Sequence, residues 1–181
     1  MLPTVLMIPI ETPRLLIRAL SADDVPALIA LWTDPDVTRH MGGPRDVTRL
    51  RHVYEEELRR PEPPRYTLWL VVERASGRVI GECGLLEKDV DAQREIELVY
   101  VLGRDVWGRG YATEAASAVR DAALSTSIAR LIALIDPDNP ASAAVARKIG
   151  MRFERGTIRP GGTVRLVYAL DAGQGKSAGT S

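Results

Sequence analysis

The segment Val99–Glu114, with the sequence VYVLGRDVWGRGYATE, constrains the fold of this chain more than any other. It predicts the end of a β-strand, a turn that contains Gly108 and Gly110, and the start of a helix. A helix that begins directly after such a turn leaves its first backbone N–H groups without intrahelical partners. Together with the positive end of the helix dipole, these groups favour the binding of an anion such as a phosphate.

Three known phosphate-binding patterns are candidates for this turn. A P-loop is excluded, because no glycine of the segment is followed by the required Lys and Ser or Thr. A dinucleotide-binding fingerprint is disfavoured, because no acidic residue follows at the distance needed to hold a ribose. The acyl-CoA pattern Gln/Arg-x-x-Gly-x-Gly/Ala matches at Gly110 and Ala112, although Trp107 stands where Gln or Arg is usual. The glycines taken alone also fit a tight turn that binds nothing.

The rest of the chain predicts helices and strands of one α/β domain over residues 1–170, followed by a disordered tail over 171–181. We expect strands over residues 12–20, 66–73, 79–86, 95–102, 130–135, 151–157 and 163–170. We expect helices from about Asp23 to Asp34, from Asp46 to Arg59, after Gly110 to Leu124, and between Asn139 and Gly150. The prolines in Pro61–Pro64 exclude regular structure there.

Composition and charge exclude several classes of function. Lys and Arg together number 24, as do Asp and Glu, so the chain lacks the positive excess of a nucleic-acid binder or of a protein held to membranes by charge. With one cysteine and two histidines, it has no cysteine cluster and too few histidines for most metal sites. No segment has the pattern of a secretion signal or of a membrane span. We therefore expect a cytoplasmic protein without a metal.

Four regions of the sequence, taken in order, resemble the GNAT acetyltransferase superfamily and, within it, the RimJ/RimL-like branch of ribosomal-protein N-terminal acetyltransferases. They are Glu11–Arg18, Glu97–Leu102, Trp107–Ala115, and Asn139–Ser142 followed by Lys148–Met151. Trp is common at the first position of the cofactor loop in this branch, so Trp107 fits the resemblance. The likeness covers about residues 11–170, which is nearly all of the expected domain.

The resemblance implies a single α/β (α+β) domain with a mixed, strongly bent sheet of six to seven strands, splayed at the centre and flanked by about four helices. The sheet would open between the strands at 95–102 and 130–135, and the pantetheine arm of acetyl-CoA would lie in that gap. The residues that would bind the pyrophosphate are Trp107, Gly108, Arg109, Gly110, Tyr111, Ala112 and Thr113. The residues that would bind the pantetheine arm and the sulfur are Tyr100, Val101 and Leu102 through their backbone, with Asn139 and Ser142.

The implied reaction is direct attack of an amine on the acetyl-CoA thioester, without a metal or an acyl-enzyme. Glu97 is the expected base, and Glu95, two residues earlier on the same face, is the runner-up, with water alone as a further option. Judged without the resemblance, both glutamates read as solvated strand residues. Ser142 is expected to stabilise or protonate the leaving thiolate, because Ala146 occupies the helix position at which many GNAT enzymes carry a tyrosine.

Several other residues have smaller expected roles. The cations that are candidates for the CoA phosphates, or else ordinary surface charges, are Arg104, Arg109, Arg147 and Lys148. His40 is a candidate for the acceptor site. The side chains of Trp32, Tyr111 and Tyr168 are expected to pack in the core, and Cys83 to be an inert buried thiol.

The acceptor is expected to be the α-amine of a protein or peptide. At pH 7, deprotonation costs about 1.4 kcal/mol for an α-amine of pKa about 8, but about 4.6 kcal/mol for a lysine side chain. A small amine such as a polyamine, amino acid or aminoglycoside is the alternative. A non-catalytic acyl-CoA-binding module is less favoured, because Glu97 and Ser142 are both present. The resemblance is compatible with a monomer or a homodimer.

Overall fold

The computed structural model describes residues 6–62 and 64–173. An eight-stranded sheet with the order β1-β2-β3-β4-β5-β6-β8-β7 forms its centre. The strands are β1 (Ile10–Glu11), β2 (Leu15–Arg18), β3 (Leu68–Glu73), β4 (Val79–Val90), β5 (Gln93–Leu102), β6 (Arg130–Ile135), β7 (Arg152–Ile158) and β8 (Val164–Asp171). The helices are α1 (Val25–Thr33), α2 (Pro35–Thr38), α3 (Val47–Arg59), α4 (Tyr111–Leu124) and α5 (Pro140–Lys148).

Helices cover both faces of the sheet. Successive side chains of a strand point to opposite faces, and β5 shows this division. Its residues Leu98 and Tyr100 pack with apolar residues of α4 and α5, such as Ala115. Its residues Val99 and Val101 pack on the other face, with apolar residues of α1 and α3. Strand β5 therefore presents side chains to both halves of the core.

The sheet opens between β5 and β6, as expected. These strands are the one parallel pair in the sheet, and their register contains a single pair, Glu97 with Ile132. Strand β4, in contrast, pairs with β5 along its whole length from Gln93 to Leu102. The carboxyl-terminal half of β5 consequently has one free edge, which faces a gap.

The predicted fold class is confirmed, with differences in detail. The sheet has eight strands rather than six to seven, because the two-residue strand β1 pairs with β2. The unpredicted one-turn helix α2 forms because the Asp34 carboxylate accepts hydrogen bonds from two N–H groups of its first turn. Strand β4 is longer than predicted, because a two-residue turn of Asp91 and Ala92, both at positive φ, joins it directly to β5. The tail predicted to be disordered from Asp171 begins later, because Asp171 pairs with Arg130 as the last residue of β8. Residue 63 and the part of this tail beyond residue 173 lie outside the described residues.

Candidate active site

A cleft of about 900 Å³ opens where β5 and β6 diverge. Its walls come from the end of β5, the turn before α4, the end of β6, the start of α5, and the segment between α1 and α3. The predicted site residues Glu97, Asn139 and Ser142 all line it, as do all the predicted residues of the turn except Arg109. The fold therefore brings residues from distant parts of the chain into one cavity.

The turn before α4 presents free backbone donors to one end of this cleft. Gly108 and Gly110 have φ values of +75° and +81°, a left-handed conformation that favours glycine. The first helical hydrogen bond runs from the Glu114 N–H to the Gly110 carbonyl, at 3.0 Å. The N–H groups of residues 111–113 precede that bond and have no acceptor within the described part of the chain. This arrangement fits a pyrophosphate.

Arg14, in the segment before β2, stabilises the turn through several contacts. The sequence did not indicate this role. Its guanidinium donates to the Arg109 carbonyl at 2.9 Å and to the Glu114 carboxylate at 2.6 Å. The same carboxylate accepts from the Thr12 hydroxyl at 2.6 Å. The Arg14 guanidinium also lies 4.4 Å from the centroid of the Tyr111 ring. Arg109 thus contributes its carbonyl to the turn, while its side chain does not line the cleft.

The free edge of β5 offers backbone groups to the middle of the cleft. Gly103 donates its N–H to β4 at 2.9 Å, and antiparallel pairing alternates along a strand. Val101 therefore directs its backbone groups at β4, whereas Tyr100 and Leu102 direct theirs into the gap. The Leu102 carbonyl already accepts a hydrogen bond from the Trp107 indole, at 2.8 Å. Val101, the third residue predicted to pair with pantetheine through its backbone, lines the cleft and is buried.

The side chains of Asn139 and Tyr100 make polar contacts with the first turn of α5. The Asn139 side chain caps the helix and accepts a hydrogen bond from the Ser142 N–H at 3.0 Å. The Tyr100 hydroxyl donates to the Ser142 carbonyl at 2.8 Å, and the Ser142 hydroxyl lies 3.1 Å from the same phenol oxygen. Burial, the largest influence, raises the pKa of Tyr100 to about 12, so the phenol keeps its proton at neutral pH. Ala146, at the family's tyrosine position, is fully buried.

Glu97 lies on the opposite face of β5 from Tyr100 and is half-buried. Burial raises the pKa of its carboxyl group. The positive charges of Lys88, Arg159 and Arg165 and the Leu134 N–H act in the opposite direction without cancelling this effect. A carboxylate with a raised pKa holds a proton more readily than an ordinary one, which suits a general base.

Glu95, the runner-up base, forms an ion pair away from the cleft. Its side chain is buried and lies 3.2 Å from the Arg130 guanidinium. The same guanidinium binds Glu154 and Asp171, at 2.9 and 3.2 Å. Glu95 does not line the cleft. Because Arg130 neutralises it away from the gap, Glu97 is the acidic residue of β5 that is free to act there.

The remaining predicted residues divide between the cleft and the core. His40 lines the cleft, with its Nδ1 at 3.8 Å from Asp136. Trp32 packs on the α1–α3 core as expected, but it also lines the cleft and donates its indole N–H to Glu82 at 2.6 Å. Tyr111, Tyr168 and Cys83 are buried. Of the four cations considered for the CoA phosphates, Lys148 is the one that lines the cleft, and Arg104 pairs with Asp36 at 2.6 Å.

Two features are absent from residues 6–62 and 64–173. No three His, Cys, Asp or Glu side chains in these ranges are placed to hold a metal ion together. None of the helices in the same ranges combines the length and the apolar character that crossing a bilayer requires.

Comparison with known proteins supplies the deciding observation. The family model described as "Acetyltransferase (GNAT) domain" matches residues 14–152, which include every strand from β3 to β6 and the whole cleft turn. The chain belongs to the GNAT acetyltransferase family. Enzymes of this family use acetyl-CoA, and the free N–H groups of the turn fit its pyrophosphate.

Relatives of this GNAT acetyltransferase support the assignment. The chain is 33% identical over 159 residues to the protein YkkB of Bacillus subtilis (strain 168), covering 87% of this chain and 92% of YkkB. A solved acetyltransferase from Agrobacterium tumefaciens str. C58 is 29% identical, with a TM-score of 0.75, covering 91% of this chain and 94% of that one. Spermidine N-acetyltransferase from Vibrio cholerae, solved with CoA and spermine, shares the fold at 13% identity and a TM-score of 0.73, covering 90% and 98%.

Proposed function

We propose that this GNAT enzyme transfers the acetyl group of acetyl-CoA to the N-terminal α-amine of a protein or peptide, in the manner of the RimJ/RimL-like branch. The observation that carries the proposal is the position of two polar groups at the same gap in the sheet. Glu97 reaches the gap from the face covered by α1 and α3, and Tyr100 with Ser142 from the face covered by α4 and α5.

This opposition suits a direct transfer. An amine attacks a carbonyl carbon from one side while the thiolate departs on another, so a proton acceptor and a thiolate-stabilising group are needed in different places. Glu97 provides the acceptor on the attacking side. Its carboxylate takes a proton from the amine, directly or through one water, and the modest cost of deprotonating an α-amine makes a carboxylate sufficient.

On the departing side, Ser142 stabilises the thiolate by hydrogen bonding and Tyr100 positions Ser142. A thiol has a pKa of about 8.5, whereas burial raises the pKa of Tyr100 to about 12. The phenol is therefore too weak an acid to give up its proton to the thiolate. We infer that the Ser142 hydroxyl donates a hydrogen bond to the sulfur, and that Tyr100 holds Ser142 in place through its carbonyl.

Free-thiol release from acetyl-CoA by the purified protein tests the proposal. The acceptor panel pairs short peptides with different free N-terminal residues against polyamines, aminoglycosides and single amino acids. Thiol release with peptides, together with acetylation of their α-amine by mass spectrometry, is the expected result. Release with a polyamine alone would keep the acetyltransferase and refute the protein acceptor.

A pair of variants tests the assigned chemistry apart from the acceptor. Ser142→Ala should slow turnover strongly while the dissociation constant of CoA stays close to that of the wild type, because the side chain acts on the thiolate. Equal turnover in both proteins would remove Ser142 from the mechanism. If the protein bound acetyl-CoA but released no thiol from it with any acceptor, the result would instead favour a non-catalytic acyl-CoA-binding module.

A further inference from the structure

The part of the cleft around Glu97, where the acceptor amine would lie, is called the acceptor half. It carries an excess of positive charge that the proposed reaction does not use. The charges of Lys88 on β4, Arg159 beyond β7 and Arg165 on β8 all act on the Glu97 carboxylate. Among the described side chains, no Lys or Arg nitrogen lies within 4.0 Å of that carboxylate. These cations therefore line the same cleft as Glu97 and act on its charge, but none of them forms an ion pair with it.

Two of the acids that line this half of the cleft, Asp36 and Asp136, are already neutralised. Asp36 pairs with Arg39 at 2.5 Å and with Arg104 at 2.6 Å. Asp136 pairs with Arg165 at 2.9 Å. Glu97 has no ion-pair partner among the described side chains. Asp138 also lines the cleft without an ion-pair partner among them, and it is exposed on the loop before α5.

Three cations on the same side lack an acidic partner within the described residues. Lys88 and Arg159 are half-buried and form no ion pair there. Arg45 donates to the Met41 carbonyl at 2.7 Å and lies 5.8 Å from the centroid of the Trp32 ring, again with no carboxylate. An acceptor whose amine lies against Glu97 therefore places its neighbouring groups beside positive charge.

We propose that the acceptor carries a carboxylate close to its reacting amine, as an N-terminal peptide with an acidic residue in its first positions does, and that Lys88 and Arg159 bind this carboxylate. The inference rests on the proposed function for the identity of the amine. A polyamine is the opposite case, because its second ammonium group would face the positive charges of Lys88 and Arg159.

The test compares peptides that differ only in residues 2 and 3, which are Glu, Gln or Lys, and it adds free glutamate and spermidine. We expect kcat/KM to be about tenfold higher for the Glu peptide than for the Gln peptide, which corresponds to about 1.4 kcal/mol, and lowest for the Lys peptide. The preference should weaken as ionic strength rises, because salt screens the charges of the cleft that remain in contact with solvent.

Charge variants locate the preference in the cleft. Arg159→Gln and Lys88→Gln should each reduce the ratio of Glu to Gln peptide, and Arg159→Glu should shift it toward the Lys peptide. Arg51→Gln is the matched control, because Arg51 is exposed on α3 and does not line the cleft. It should leave the ratio unchanged. A ratio of one in the wild type, or the same ratio in all the cleft variants, would overturn the inference.

Calorimetry separates this inference from the proposed function. The peptides are titrated into the protein saturated with CoA, so that binding is measured without turnover. Tighter binding of the Glu peptide supports the charge inference even when no peptide is acetylated, and equal binding refutes it. Acetylation of free glutamate but of no peptide would support the carboxylate and refute the protein acceptor. Preferred binding of spermidine would refute the charge inference.

Discussion

Replacing Gly110 with alanine separates the binding role of the turn before α4 from its backbone conformation. Gly110 has a φ of +81°, and a side chain in this left-handed region costs about 1–2 kcal/mol. A Cβ built at Gly110 has its nearest contact at 3.5 Å, to the Arg14 guanidinium, which is an ordinary van der Waals distance. No clash adds to the strain. We therefore expect the melting temperature of Gly110→Ala to fall by about 2–8 °C, from the usual scaling for a domain of this size.

The same methyl group should also weaken CoA binding. Gly110 lines the cleft at the point where the pyrophosphate is expected to approach the backbone most closely. We expect the dissociation constant of CoA, measured by calorimetry, to rise about tenfold or more, equivalent to about 1.4 kcal/mol.

A second glycine provides the matched control. Gly77, in the turn between β3 and β4, has a φ of +71°, and nothing lies within 4 Å of an added Cβ. It does not line the cleft. Gly77→Ala should lose a similar amount of stability and keep the CoA affinity of the wild type. If Gly110→Ala kept that affinity as well, the turn would not be the pyrophosphate site.

Three further predictions concern turnover and stability. Glu97→Gln should lower kcat by about 10²–10⁴-fold. Because burial raises the Glu97 pKa, the activity of the wild type should fall as pH drops through a value above the ordinary pKa of a glutamate. If the Gln variant kept the same pH profile as the wild type, Glu97 would be excluded as the base. Tyr100→Phe removes the 2.8 Å hydrogen bond to the Ser142 carbonyl and should lower kcat more than it changes the dissociation constant of CoA, whereas an unchanged kcat would exclude a positioning role. Asp24→Asn should cost about 2 kcal/mol at pH 7 in urea unfolding, because the Arg18 guanidinium lowers the Asp24 pKa to about 2. This contribution is present above the unfolded-state pKa of about 3.9 and disappears as pH falls toward 2, so a variant as stable as the wild type at pH 7 would contradict it.

Elements with strong local signals were predictable from the sequence. Helices α3 and α5 begin where Asp46 and Asn139 supply side-chain caps, and α4 begins directly after Gly110. The turn of Asp91 and Ala92 was not predictable, because it adopts positive φ without the glycine that usually marks such hairpins. Its conformation depends on β4 and β5 pairing around it, and sequence spacing does not show that pairing.

The candidate site divides in the same way. The positions of residues within a single motif, such as Gly110 in its turn and Ser142 at its helix start, could be predicted from the sequence, because each motif is one continuous backbone segment. The ion pair between Glu95 and Arg130 could not, because Arg130 comes from a strand about 35 residues later in the chain. The contact between the Tyr100 hydroxyl and Ser142 likewise exists only after β5 and α5 meet at the gap.

The placement of the three tryptophans gives the protein its own optical reporters. Trp107 lines the cleft beside the turn and is 50% exposed, Trp32 lines it on the acceptor side, and Trp69 is buried in β3 away from it. The fluorescence emission of an indole depends on the polarity of its surroundings. We therefore expect a ligand at one end of the cleft to change the emission of Trp107 and a ligand at the other end to change that of Trp32. Ultraviolet excitation of variants that keep one cleft tryptophan at a time would therefore follow the order in which donor and acceptor arrive, without any attached label.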